Sequence, residues 1–124
     1  MEDHPATARA LKGFLGGAGF EVQVATDVAS ALELAGRIEF DLLLCDLNLP
    51  DGTGWDLLAR LSEKGPVRAI AFSAFDEPEH IARSEAAGFL EHFVKGRPAE
   101  DLLAAIRKAA AAAPPAARTR RQPA

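Results

Sequence analysis

The stretch LLLCDLNLPDGTG, Leu42 to Gly54, constrains the fold more than any other in the chain. Three leucines and a cysteine in a row read as a strand buried on both faces. Such strands belong to parallel sheets packed between helices. An ionised carboxylate is costly inside such a core. Asp46 therefore stands where the strand leaves the sheet and meets water, a metal or a ligand. Pro50, Gly52 and Gly54 then make a turn-rich loop.

The remainder of the chain has matching periodicities. Ala10, Leu11, Phe14, Leu15 and Ala18 share one face and predict a helix over 5–18, opened by Pro5 and stopped by Gly19. Glu21–Ala25 alternates, with Val22 and Val24 on one side, and predicts a strand. Asp27 suits the cap of a helix over 28–37 with Val28, Ala31, Leu32 and Ala35 inward. The buried strand runs from Phe40 to Cys45. A helix over 55–63 turns Leu57, Leu58 and Leu61 inward, and Val67–Phe72 is another apolar strand. Asp76 caps a helix near 77–87 that Gly88 ends. His92–Val94 is a short strand, and Pro98 opens a last helix to 112 with Leu102, Leu103 and Ile106 inward. Strands alternating with helices predict an α/β, doubly wound parallel sheet with helices on both faces.

A length of 124 residues suits one domain. We expect it to span 1–112, with 113–124 a disordered Ala/Pro/Arg-rich tail or linker, because Pro114-Pro115 stop a helix and the rest lacks apolar bulk. A net charge of -4 gives no reason for the folded part to bind nucleic acid directly. One cysteine excludes an internal disulfide, and Cys45 among leucines reads as a small buried hydrophobe. No apolar run is long enough to insert in a membrane, and the first residues lack the pattern of a signal peptide, so a cytoplasmic location is expected.

In open parallel sheets, function gathers at the carboxyl ends of the strands. The polar residues expected there are Glu2 and Asp3 before the first helix, Asp46, Ser73 and Lys95. Three carboxylates, a hydroxyl and an ammonium on one rim suit phosphoryl transfer. Crowded carboxylates repel unless a cation joins them. Mg²⁺ takes oxygen ligands and keeps several waters, so two or three carboxylates suffice. An aspartate can act as nucleophile and become an aspartyl-phosphate. A metal and a lysine then neutralise the equatorial oxygens, and a serine hydroxyl donates to one of them. Each residue also has a plain structural reading: turn caps for Asp46 and Ser73, helix N-terminal acids for Glu2 and Asp3, and a solvated surface residue for Lys95. His4 and His80 read as surface residues, and Trp55 as core or a groove edge.

Glu2-Asp3, LLLCDLNLPDGTG, Phe72-Ser73-Ala74, Ala87-Gly88 and Val94-Lys95 together resemble a response-regulator receiver (CheY-like) domain of two-component signalling, over essentially residues 1–112. The resemblance implies a flavodoxin-like, five-stranded parallel sheet of order 2-1-3-4-5 with five helices. It implies that Asp46 accepts a phosphoryl group from a histidine kinase or phosphotransfer protein, that Glu2, Asp3, Asp46 and the backbone carbonyl of Asn48 hold Mg²⁺, and that Ser73 and Lys95 meet the phosphate. The family's switch aromatic falls at His92. The signal would pass to a downstream protein target, in a monomer or a homodimer, with no catalysis beyond the domain's own phosphotransfer and dephosphorylation.

Two departures stand out. The family places an apolar strand before its acidic pair, at the centre of the sheet, whereas only Met1 precedes Glu2 here. Five missing apolar residues at about 1.5–3 kcal/mol each amount to roughly 7–15 kcal/mol of burial. Three resolutions present themselves: a true start further upstream, another segment or second chain in the slot, or direct pairing of strands 22–25 and 40–45. Gly96, in place of the family's cis-proline, follows Lys95, so a trans bond is expected there. The alternative function is a phosphorylation-independent pseudo-receiver, a protein-interaction or dimerisation scaffold. A small aspartyl-nucleophile phosphohydrolase is a weaker fit, because Asn48 stands where a second acid would be needed.

Overall fold

Alternate residues of a fully buried strand need cover on opposite faces. Ala69, Ile70, Ala71, Phe72 and Ser73 are all buried, and the molecule supplies two layers of helix around them. The structure, a computed structural model, describes residues 5–74 and 77–111. Its elements are α1 (Pro5–Gly17), α2 (Val28–Arg37), β1 (Leu43–Asp46), β2 (Asn48–Leu49), β3 (Gly52–Thr53), α3 (Gly54–Ser62), β4 (Ala69–Ser73), α4 (Pro78–Ala87), β5 (Glu91–Val94) and α5 (Ala99–Ala111). Among the described residues the main sheet has three parallel strands in the order β1-β4-β5. The registers Asp46↔Phe72 and Ser73↔Val94 bring the carboxyl ends of the three strands to one rim.

Ala69 and Ala71 join Cys45, Leu57, Leu58, Phe89 and the α2 residues Val28 and Ala31 in one apolar cluster. Ile70 and Phe72 face the other way, into a cluster of Leu15, Phe93, Leu102, Ala105 and Ile106. The parallel sheet between helix layers is thus the expected α/β architecture. The helices also fall where their periodicity puts them, except that Ala10 and Phe14 of α1 face outward and Ala8 is buried instead. That helix is apolar on more than one face, and spacing alone did not single out the inward one.

Local chemistry sets the boundaries. Asp27 caps α2 by accepting from Ser30 N–H at 2.7 Å, and Ser30 Oγ faces the Asp27 N–H in return. Gly88 ends α4 with φ 106°, a left-handed value that favours glycine. The expected cap Asp76 lies outside the described residues, and α4 opens on Glu77 and Pro78 without a side-chain cap. No cis peptide bond occurs among the described residues, in keeping with the trans bond expected before Gly96.

Two expectations need correction. Glu21–Ala25 is not a strand, and β1 begins at Leu43 rather than Phe40. An alternating segment becomes a strand only when a ladder partner is in reach. None of the described strands reaches 21–25. Nor do 22–25 and 40–45 close up and pair. A cleft of about 640 Å³ separates them, lined by Val22 and Val24 on one side and Phe40, Leu42 and Leu44 on the other.

Candidate functional site

β1 carries Asp46 as its last residue, one position beyond the predicted strand end. The carboxylate is buried, with 7% of the residue exposed. Two groups compensate its charge. Lys95 Nζ lies 3.1 Å from Oδ2, and the backbone N–H of Asn48 donates to Oδ1 at 3.2 Å. Lys95 reaches across the sheet edge because its own N–H donates to the Ser73 carbonyl at 2.7 Å, carrying the β4–β5 ladder past Val94. Its ammonium passes 5.2 Å from the centre of the Phe72 ring, a cation–π distance. A carboxylate this buried is costly alone, and removing its partner would leave it uncompensated. Ser73 ends the strand between them and is 1% exposed.

The loop after Asp46 is held rigidly. Asn48–Leu49 and Gly52–Thr53 form a small antiparallel hairpin. Gly54 N–H donates to the Leu47 carbonyl at 3.0 Å, and Thr53 caps α3 by accepting from Asp56 N–H at 3.1 Å. A Cβ on Gly54 would stand 2.6 Å from the Asp46 carbonyl oxygen and 2.9 Å from Cys45 Sγ, so only glycine fits against the strand end. Asp51, which sequence reasoning passed over, accepts from Val28 N–H at 2.7 Å and Ala29 N–H at 3.0 Å. These two donors hold the Asp51 carboxyl below its ordinary value of 3.8. The only sequence signal was an Asp in a loop following Pro50, since a cap supplied from 23 residues away leaves no local pattern.

The predicted residues therefore divide. Asp46, Ser73, Lys95 and Asn48 come to one rim. Glu2 and Asp3 lie outside the described residues, as does His4. No group of three His, Cys, Asp or Glu side chains able to hold a metal occurs among the described residues. The oxygen donors present, the Asp46 carboxylate and the carbonyl of exposed Asn48, have the chemistry a hard divalent cation takes, and they fit such an ion if two further acids join them.

His92, at the position of the resembled family's switch aromatic, is half-buried and tied inward. Its Nδ1 lies 2.9 Å from Ser84 Oγ, and Ser84 is fully buried. Trp55 Nε1–H donates to the same oxygen at 3.1 Å. Neither Ser84 nor its role showed in the sequence, because a serine on the inward face of α4, beside Ile81 and Ala87, carries no apolar signal. His80 is not the plain surface residue expected. It stacks on Trp55 at 5.9 Å between ring centres, with Arg83 4.0 Å from the same ring.

Comparison with known proteins gives consistent results. A family model described as "Response regulator receiver domain" matches residues 1–107. The chain is 32% identical over 114 residues to the nitrate/nitrite response regulator protein NarL of Escherichia coli, covering 90% of this chain and 53% of that one. It is similar in structure to the BeF3-activated receiver domain of Klebsiella pneumoniae RstA, with a TM-score of 0.85 and 25% identity over 90% of this chain and 95% of that one. A response regulator protein from Burkholderia pseudomallei, solved with a phosphorylated aspartic acid and a calcium ion, gives a TM-score of 0.79 at 26% identity, covering 88% of this chain and 65% of that one. The chain spans about half the length of NarL and of two other regulators it matches, and less of others. No helix among the described residues is long and apolar enough to cross a membrane.

Proposed function

Because this chain belongs to the response-regulator receiver family of two-component signalling, we propose that it is a phosphoacceptor module with Asp46 as the acceptor. An Asp46 carboxylate oxygen attacks the phosphorus of a phosphohistidine on a kinase or phosphotransfer protein. The new P–O bond forms as the P–N bond breaks, and the imidazole leaves with a proton. Lys95 stays beside the phosphoryl oxygens and balances their charge, and the Ser73 hydroxyl donates to one of them. Glu2, Asp3, Asp46 and the Asn48 carbonyl would hold Mg²⁺, which when bound supplies further positive charge at the equatorial oxygens. In this reading the receiver unit is residues 1–112, with 113–124 a tail or linker. The protein works in the cytoplasm and hands its signal to a downstream protein.

The observation that supports this reading most is the Lys95 Nζ to Asp46 Oδ2 contact of 3.1 Å on a buried carboxylate at a strand's carboxyl end. The test is intact mass after incubation with acetyl phosphate and Mg²⁺, beside Asp46→Asn. The expected result is a gain of one phosphoryl group that needs both Mg²⁺ and Asp46. A folded parent that gains none refutes the phosphoacceptor reading and leaves the scaffold role of a pseudo-receiver.

A further inference from the structure

α3 and α5 are held to the sheet by buried apolar side chains, Leu57 and Leu58 in one and Leu102, Ala105, Ile106 and Ala109 in the other. The one buried residue of α4 is a serine, Ser84, at 0% exposed. A hydroxyl at that depth needs partners. Trp55 Nε1–H of α3 donates to its Oγ at 3.1 Å, and His92 Nδ1 of β5 lies 2.9 Å from the same atom. The chemistry of the three groups sets where the protons sit. An indole N–H only donates, so Oγ accepts from Trp55. A serine hydroxyl has one proton to give, and the bare Nδ1 of a neutral imidazole takes it. The proton of that imidazole is then on Nε2.

We propose that Ser84 and His92 form a pH-sensitive clasp on α4, closed while His92 is a neutral imidazole and opened when its Nδ1 takes up a proton. An imidazolium donates from both nitrogens. Its Nδ1–H would point at an oxygen that already accepts from Trp55, and the serine proton would lose its acceptor. Ser84 is closed to bulk water, so that loss is not made good by solvent. The bond that fails is the one joining α4 to β5, and α4 has no other fully buried side chain to keep its place. The clasp therefore converts an imidazole proton into a displacement of α4. Other charged groups border the junction. On α4 itself, Arg83 lies 4.0 Å from the centre of the Trp55 ring, His80 stacks on that ring with its Nδ1 3.0 Å from Glu77, and Glu85 is exposed. On α3, Asp56 and Arg60 are exposed. β4 places the uncharged Ala71 beside His92. In β5, strand alternation turns Glu91 to the opposite face, and Lys95 beyond the strand pairs with Asp46.

The test uses the full chain with His80→Gln, so that the imidazole stacked on Trp55 no longer titrates, and it needs no phosphorylation. Nitrogen NMR shifts of the His92 ring at about pH 8 should place its proton on Nε2. Between about pH 8 and about pH 5.8, above the pI of about 5.3, the Trp55 Nε1–H resonance should move in step with the titration of His92. A second chain adds His92→Gln, whose side-chain carbonyl accepts the serine proton and cannot titrate. Its Trp55 resonance should stay still over the same range. At about pH 5.8 the indole N–H of the first chain should exchange with solvent at least about tenfold faster than that of the second. Ser84→Ala, which cuts the link between the two rings, should leave His92 titrating and Trp55 unresponsive. A His92 proton found on Nδ1 at about pH 8 overturns the proposal. So does a Trp55 response that persists in either variant, or a resonance that stays still throughout in the first chain.

Discussion

Ile70 and Val24 are both β-branched and apolar, yet Ile70 is 0% exposed and Val24 is 38% exposed. The half of the molecule around β4 has a strand on each side and a helix layer on each face. The half around residues 20–25 has helices but, among the described residues, no strand beside it, and its apolar side chains border a cleft. Both carry large apolar side chains, although Glu21 and Gln23 alternate with them in the second. What differs is whether the backbone groups have a neighbouring strand to bond, without which the segment cannot enter a sheet.

The sharpest way to break this comparison is a pair of truncations. Phe93→Ala, at a position 1% exposed, should cost about 3–5 kcal/mol by urea unfolding. Phe40→Ala, at the cleft, should cost about 1 kcal/mol or less. Equal costs would mean that the open half is packed after all. Next in size is the contact of Lys95 with Asp46, which belongs to the closed half. Lys95→Met should slow acetyl-phosphate labelling by about 10²-fold while circular dichroism stays native. Glycine substitutions give a smaller contrast of opposite sign. Gly54→Ala, crowded by the Asp46 carbonyl, should destabilise by about 1–3 kcal/mol, whereas Gly13→Ala, with nothing nearby in α1, should stabilise by about 0.5–1 kcal/mol. Both are read from denaturant midpoints. The smallest effect concerns pH. The Asp51 carboxyl is held below its ordinary 3.8 by the Val28 and Ala29 amides. Its contribution to stability is therefore complete above that value and is lost as pH falls through the lower folded one. Between about pH 5 and pH 2, Asp51→Ala should show a shallower fall in stability than the parent.

The same division decides what could be read in advance. The strands read as Phe40–Cys45, Val67–Phe72 and His92–Val94 announce themselves, with shifted ends, because each contains a short apolar run or strand with a partner on hand. The meeting of Asp46 with Lys95 was legible from strand ends alone, since parallel strands leave the sheet on one side. Glu21–Ala25 misled because alternation describes a side chain's preference and is silent on whether a neighbouring strand exists. Asp51 and Ser84 were invisible for another reason. One caps a helix 23 residues earlier, and the other joins Trp55 to His92 across 29 and 8 residues. Contacts that distant leave no spacing to recognise.

Trp55 is the chain's single tryptophan, and there is no tyrosine. Its indole is hydrogen-bonded to Ser84 of α4, flanked by His80 and Arg83, and linked through Ser84 to His92 of β5. Ultraviolet emission from the protein therefore originates at one junction, where α3, α4 and β5 meet. Any displacement of α4 moves a cation and a hydrogen-bond acceptor relative to that one emitter. The molecule thus carries its own optical gauge, placed to follow movement of α4 against α3 in real time without an attached dye.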